Sequence, residues 1–101
     1  MQINPFDILK NAQKIQEQMG MFQEKIGSIT AAGSSGGGMV RVELTGRMEV
    51  VSVTIAPEAA AAQDVQMLED LIAAAFTSAV ENVKEALSRE LGGAVFPPGL
   101  L

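Results

Sequence analysis

Apolar side chains recur along the first third of the chain at Ile8, Ala12, Ile15, Met19, Phe22, Ile26 and Ile29, at alternating spacings of four and three. A 3.5-residue period of this kind keeps one seam on a single side of a helix and suits packing against a partner along its length. Asn4 can cap the helix start, Pro5 fits the first helical position, and Asp7 favours the positive end of the dipole. The positions off the seam are mostly Gln, Glu, Lys and Asn, with Gly20 and Gly27 among them. A helix of about 22 residues spans roughly 33 Å, longer than a small domain needs for its own core. It is therefore expected to project and to pack between subunits.

The period then changes. A Gly/Ser stretch, Gly33-Ser34-Ser35-Gly36-Gly37-Gly38, lacks the flanking strand and Gly-Lys-Ser/Thr ending of a phosphate-cradling loop, and reads as a turn between strands. Val40, Val42 and Leu44 alternate with Arg41, Glu43 and Thr45, the pattern of a strand with one apolar face. Gly46-Arg47 makes a short turn. A second strand follows, with Val51, Val53 and Ile55 on one face and Met48, Val50, Ser52 and Thr54 on the other. A lone hairpin is marginal in water, so a third strand is needed, and Ser28–Ser34 is the unassigned candidate. Apolar surplus is expected on the sheet face that the helices leave open.

Pro57 ends the hairpin, and Glu58–Gln63 reads as an Ala-rich connection. Asp64 is a good cap for a long helix to about Leu91, with an apolar stripe of Leu68, Leu71, Ile72, Ala75, Phe76, Ala79, Val80, Val83 and Leu87. Glu85 and Arg89 are spaced for an i,i+4 pair, and Gly92-Gly93 stops the helix. The tail Ala94–Leu101 is apolar, contains Pro97-Pro98-Gly99, and is expected to lie in a groove.

Composition narrows the chemistry. The chain has 101 residues, enough for one domain, residues 1–101, with the Pro-Pro-Gly tail at 92–101. It contains no His and no Cys, which removes the usual ligands for zinc and transition metals and both Ser-His and Cys-His nucleophile pairs. No apolar run approaches the ~20 residues of a membrane span, and the N-terminus lacks a secretory pattern. The expectation is a soluble cytoplasmic domain with no catalytic residues, metal, cofactor, membrane contact or small-molecule substrate. Seven basic residues against twelve acidic ones give a net charge of −5.

Several blocks in order point further. They are Asn11-Ala12-Gln13-Lys14-Ile15-Gln16-Glu17-Gln18-Met19, Gly36-Gly37-Gly38-Met39-Val40-Arg41-Val42, Val53-Thr54-Ile55-Ala56-Pro57-Glu58, Met67–Phe76 and Pro97-Pro98-Gly99. Across nearly its full length the chain resembles the YbaB/EbfC family of bacterial nucleoid-associated proteins. The resemblance implies an α+β fold, α-β-β-β-α, with a three-stranded antiparallel sheet, a first helix shortened to about Pro5–Ile26, and Ser28–Ser34 as the first strand. It also implies a tweezer-like homodimer with projecting helices. Such proteins bind duplex DNA, alter its conformation, and influence gene expression and nucleoid organisation without a catalytic step.

By that resemblance, DNA contacts fall to basic residues of the first and last helices. The first offers Lys10, Lys14 and Lys25 and the last Lys84 and Arg89, of which Lys10, Lys14, Lys84 and Arg89 are the candidates. Lys10 and Lys14 lie one turn apart, off the seam and near the positive helix end, which makes them the best anion-facing pair. No set of Arg, Asn and Gln side chains on a groove-entering helix reads bases, so little direct sequence readout is expected. The alternative is a non-catalytic protein-interaction module whose acidic surface binds no DNA. An enzyme would need carboxylates, hydroxyls or lysines alone, and Glu69 and Asp70, adjacent on a helix, point about 100° apart.

Overall fold

The computed structural model describes residues 4–92. Helix α1 runs Pro5–Ser28, and strands β1 Thr30–Ser35, β2 Val40–Thr45 and β3 Val50–Ile55 follow. A short helix α2, Pro57–Ala61, precedes the long helix α3, Val65–Glu90. The strands form one antiparallel sheet in the order β1-β2-β3. This is the α+β order expected, with one addition. The Ala-rich connection contains α2, started by Pro57 and carrying the buried Ala59.

Both long helices begin as their sequences dictate. The Asn4 side chain accepts from the Phe6 amide at 3.0 Å, and that of Asp64 accepts from the Met67 amide at 3.0 Å. Gly92, at φ 70°, takes the left-handed conformation that closes a helix end. The i,i+4 pair of Glu85 and Arg89 does not form; among the described residues the one ion pair joins Arg41 and Glu43 at 3.5 Å.

The core is the contact of α3 with β1 and β2. Val40, Val42 and Leu44 face Ala75, Ala79, Val83 and Leu87, all buried. At its centre β1 comes so close to the helix that a Cβ on Gly33 would lie 2.6 Å from the Ala75 carbonyl oxygen. Gly33 therefore belongs to a strand, not to the turn, which is a tight helical turn at Gly36–Gly38. Opposite Gly33 the buried line of α3 consequently consists of Ala75 and Ala79, and Phe76 stays outside it, 41% exposed. Two side chains tie the layers at their edges: Ser35 Oγ donates to the Leu71 carbonyl at 2.6 Å, and Asn82 Nδ2 to the Ala32 carbonyl at 2.7 Å.

The far sheet face differs from expectation. Its cross-strand rows are Ser34, Arg41 and Thr54, then Ala32, Glu43 and Ser52, then Thr30 and Thr45, so it is mostly polar. The apolar surplus sits instead along β3. The reason is a bulge: Glu43 pairs with Ser52 but Leu44 pairs with Val50, leaving Val51 as the extra residue. Val50 thus stands opposite a core residue rather than on the polar face. The preceding turn sets this up, with Met48 at φ 62° and the Thr45 hydroxyl accepting from the amides of Arg47 and Glu49.

Helix α1 projects. It has 24 residues and none is buried. Its root alone meets the body, where Ile26 and Ile29 pack against the core cluster. The radius of gyration is 19.9 Å and the long dimension 72 Å, whereas a compact domain of this length has a radius near 13 Å. The tail at 93–101, and with it the groove expected to hold it, lies outside the described residues.

Candidate nucleic-acid interface

A phosphate-facing surface needs cations that are exposed and not spent on neighbouring carboxylates. Lys10 and Lys14 meet both conditions. They lie on the outer half of α1, exposed, and neither is paired among the described residues. At 100° per residue they sit on the side opposite the Ile8–Ile26 seam, one turn apart. The same side carries Asp7, Glu17, Glu24 and Lys25, so the arm presents mixed signs rather than a basic stripe.

Lys84 and Arg89 are on α3, Lys84 half-buried and Arg89 exposed near the C-terminal end. Five residues separate them, which places them about 140° apart around the axis. They do not form a pair comparable to Lys10 and Lys14. The structure thus divides the four candidates into two neighbouring lysines on the arm and two separate cations on the body helix.

Two further cations were invisible to the first-and-last-helix pattern. Arg41 lies on the polar face of the sheet, half-exposed and engaged with Glu43. Arg47 lies in the β2–β3 turn, where its Nη2 donates to the Gln23 carbonyl of α1 at 3.0 Å. No local signal in the sequence connects Arg47 to a residue 24 positions away.

The other features offer little to an anion. At the start of α3 the Asp64 carboxylate already takes the Met67 amide, and the shallow depression beside it is lined by Asp64, Gln66, Met67, Asp70 and Leu71. Carboxylates there repel phosphate. Among the described residues no group of three or more acidic side chains is placed to hold a metal ion, and no helix is long and apolar enough to cross a membrane.

Comparison with known proteins assigns the fold to a lineage. Residues 1–96 match the sequence model of the YbaB/EbfC DNA-binding family. The chain belongs to that family. A nucleoid-associated protein of Dictyoglomus turgidum is 39% identical over 101 residues, covering 96% of this chain and 97% of its own. One from Pelotomaculum thermopropionicum is 40% identical over 100 residues, covering 96% of this chain and 95% of its own. The crystal structure of the Helicobacter pylori protein HP0035 superposes with a TM-score of 0.70 at 18% identity, over 94% of this chain and all of that one. That likeness speaks for the fold. Within the YbaB/EbfC frame, Lys10 and Lys14 are the neighbouring exposed cations on the outer half of the projecting arm, and Lys25 is exposed near its root.

Proposed function

We propose that this protein is a cytoplasmic, nucleoid-associated factor that binds duplex DNA as a homodimer, alters its conformation and acts without catalysis. The observation that carries the reading is the combination of family membership over residues 1–96 with a 24-residue arm bearing Lys10 and Lys14 away from its apolar seam.

The homodimer rests on uncovered apolar surface. Phe6, Ile8, Leu9, Ile15, Met19 and Met21 on α1 and Val50, Val51 and Val53 on β3 are all exposed, Met19 at 56% and Val53 at 47%. Ile8, Ile15 and Met19 share the seam of α1, and exposed apolar side chains concentrated on one helix side and one strand mark an interaction site. A second copy supplies the same surface to itself in an isologous contact. The paired arms then present two Lys10–Lys14 pairs, one on either side of a duplex.

The strength of the interaction is limited by charge. Two chains of −5 make a dimer of −10, which opposes approach to DNA. If four to six phosphates are neutralised, the logarithm of affinity falls against the logarithm of salt with a slope of about −4 to −5. Sequence preference then comes from duplex shape rather than base contacts.

The test is an anisotropy titration of labelled duplex at low and moderate salt. Salt-sensitive binding is expected, with the double change Lys10→Glu and Lys14→Glu weakening it by about tenfold or more while the dimer survives. Unchanged affinity in an intact dimer removes the site assignment. The net charge favours a second reading, a protein-interaction module with an acidic surface, and absence of binding even at low salt would select it.

A further inference from the structure

The arm is attached to the body through a small joint. Its backbone enters β1 at Ile29, whose carbonyl accepts from the Gly46 amide at 2.8 Å. Gly46 sits directly under the helix root, so close that an added Cβ would stand 3.0 Å from both an Ile26 methyl and a Leu87 methyl. One side chain spans the joint. Arg47 reaches from the β2–β3 turn to the Gln23 carbonyl, the one side-chain hydrogen bond between α1 and the rest of the fold among the described residues.

Three local features converge on that contact. The guanidinium meets the C-terminal part of α1, where the helix dipole favours a cation. Its fork of rigid donors holds a direction that a flexible ammonium does not. Gly27 leaves room for it: an added Cβ there would lie 3.1 Å from the Arg47 Cζ and 3.2 Å from its Nε. A glycine inside a helix weakens it relative to alanine, so its presence four residues after Gln23 is matched to the side chain laid across it.

We infer that Arg47 is a positioning residue, a clamp with Gln23 and Gly27 that fixes the angle of the α1 arm and so the placement of Lys10 and Lys14. The lever is long. Lys10 lies about 20 Å along the axis from Gln23, so a tilt of roughly 10° at the root moves it by about 3.4 Å. That is about the rise along the duplex axis from one phosphate of a strand to the next. Arg47 is exposed, and exposed polar contacts add little to global stability. Its effect is on arm geometry rather than on folding. The clamp stands apart from the DNA-binding reading, although its consequence for Lys10 and Lys14 rests on it.

The chain has no cysteine, so Gln13→Cys and Ser88→Cys introduce one spin label on the arm and one on the body helix without background. Doubly labelled chain diluted into excess unlabelled protein reports the distance within one chain by pulsed dipolar spectroscopy. The parent protein is expected to give one narrow distribution. Arg47→Ala is expected to widen it at least twofold at an unchanged unfolding midpoint, and Gly27→Leu, which fills the space of the guanidinium, to widen it likewise. A distribution in Arg47→Ala as narrow as the parent's overturns the clamp, as does widening matched by a lowered unfolding midpoint. In the duplex titration Arg47→Ala is expected to bind severalfold more weakly, and unchanged affinity with a widened arm removes the role in placing the lysines. If the parent binds no duplex at all, the DNA reading fails while the distance measurement still decides the clamp.

Discussion

At the scale of single residues, the structure turns on a position with no side chain. Gly33 lets β1 come against the backbone of α3, and the facing residues are Ala75 and Ala79, both fully buried. The obstacle to a methyl group here is main chain, which cannot rotate away. Gly33→Ala is therefore expected to destabilise the fold by about 3 kcal/mol, at the upper end of overpacking, measured by urea denaturation. Leu44→Ala, which empties buried volume against Leu87 and Val83, is expected to cost about 2–5 kcal/mol by the same measurement. Gly37, with open space around it and φ 67°, belongs to another class: alanine there meets no neighbour and costs only the left-handed backbone, about 1–2 kcal/mol. The ranking Gly33 above Gly37 separates close approach from turn geometry. Nothing in the Gly/Ser run itself distinguishes the two, because the distinction is made by a helix more than forty residues further along the chain.

At the scale of elements, β3 is the exposed weakness. Helix α3 covers β1 and β2 but leaves β3 as a bare edge, and Val50–Ile55 carries no charge and no proline. Edges of that kind pair with another chain unless blunted, and a lysine is the usual blunt. Val53→Lys is expected to leave the monomer fold within about 0.5 kcal/mol of the parent, since Val53 is already half-exposed. If the proposed dimer uses this edge, the same change is expected to shift the sedimenting mass toward the 10.6 kDa of one chain. Unchanged association would place the contact on the α1 seam alone. The elements with a sustained period were legible in the sequence: the seam of α1, the alternation of β2 and the caps of both long helices follow from it directly. Helix α2 was not, because five residues rich in alanine carry no polar–apolar period. The bulge opposite Leu44 was not either, since it depends on Met48 taking a left-handed conformation that its residue type does not announce. For the candidate site, the sequence shows where Lys10 and Lys14 stand relative to the seam, and their part in DNA binding is a proposal. Arg47 was missed because its meaning lies in a contact across the fold.

At the scale of the whole molecule, the proposed self-association and duplex binding are expected to respond to the same acidic surface in opposite ways. Each chain carries −5, so bringing two together sets like charges against each other while apolar surface on α1 and β3 is removed from water. Added salt screens the repulsion, shortening the Debye length from about 10 Å at 0.1 M to about 3 Å at 1 M, and leaves the hydrophobic term intact. Self-association is therefore expected to tighten as salt rises, toward a mass of about 21 kDa, twice the 10.6 kDa of one chain. Duplex binding depends on the release of counterions from phosphates and is expected to weaken over the same range. Sedimentation equilibrium and anisotropy, run in parallel at matched salt concentrations, should give dependences of opposite sign. The pairing of signs is the informative result. If both associations weaken with salt, the subunits are joined by ionic contacts rather than by the apolar seam and edge. If both strengthen, the duplex is held through apolar surface, and the arm lysines have no part in it.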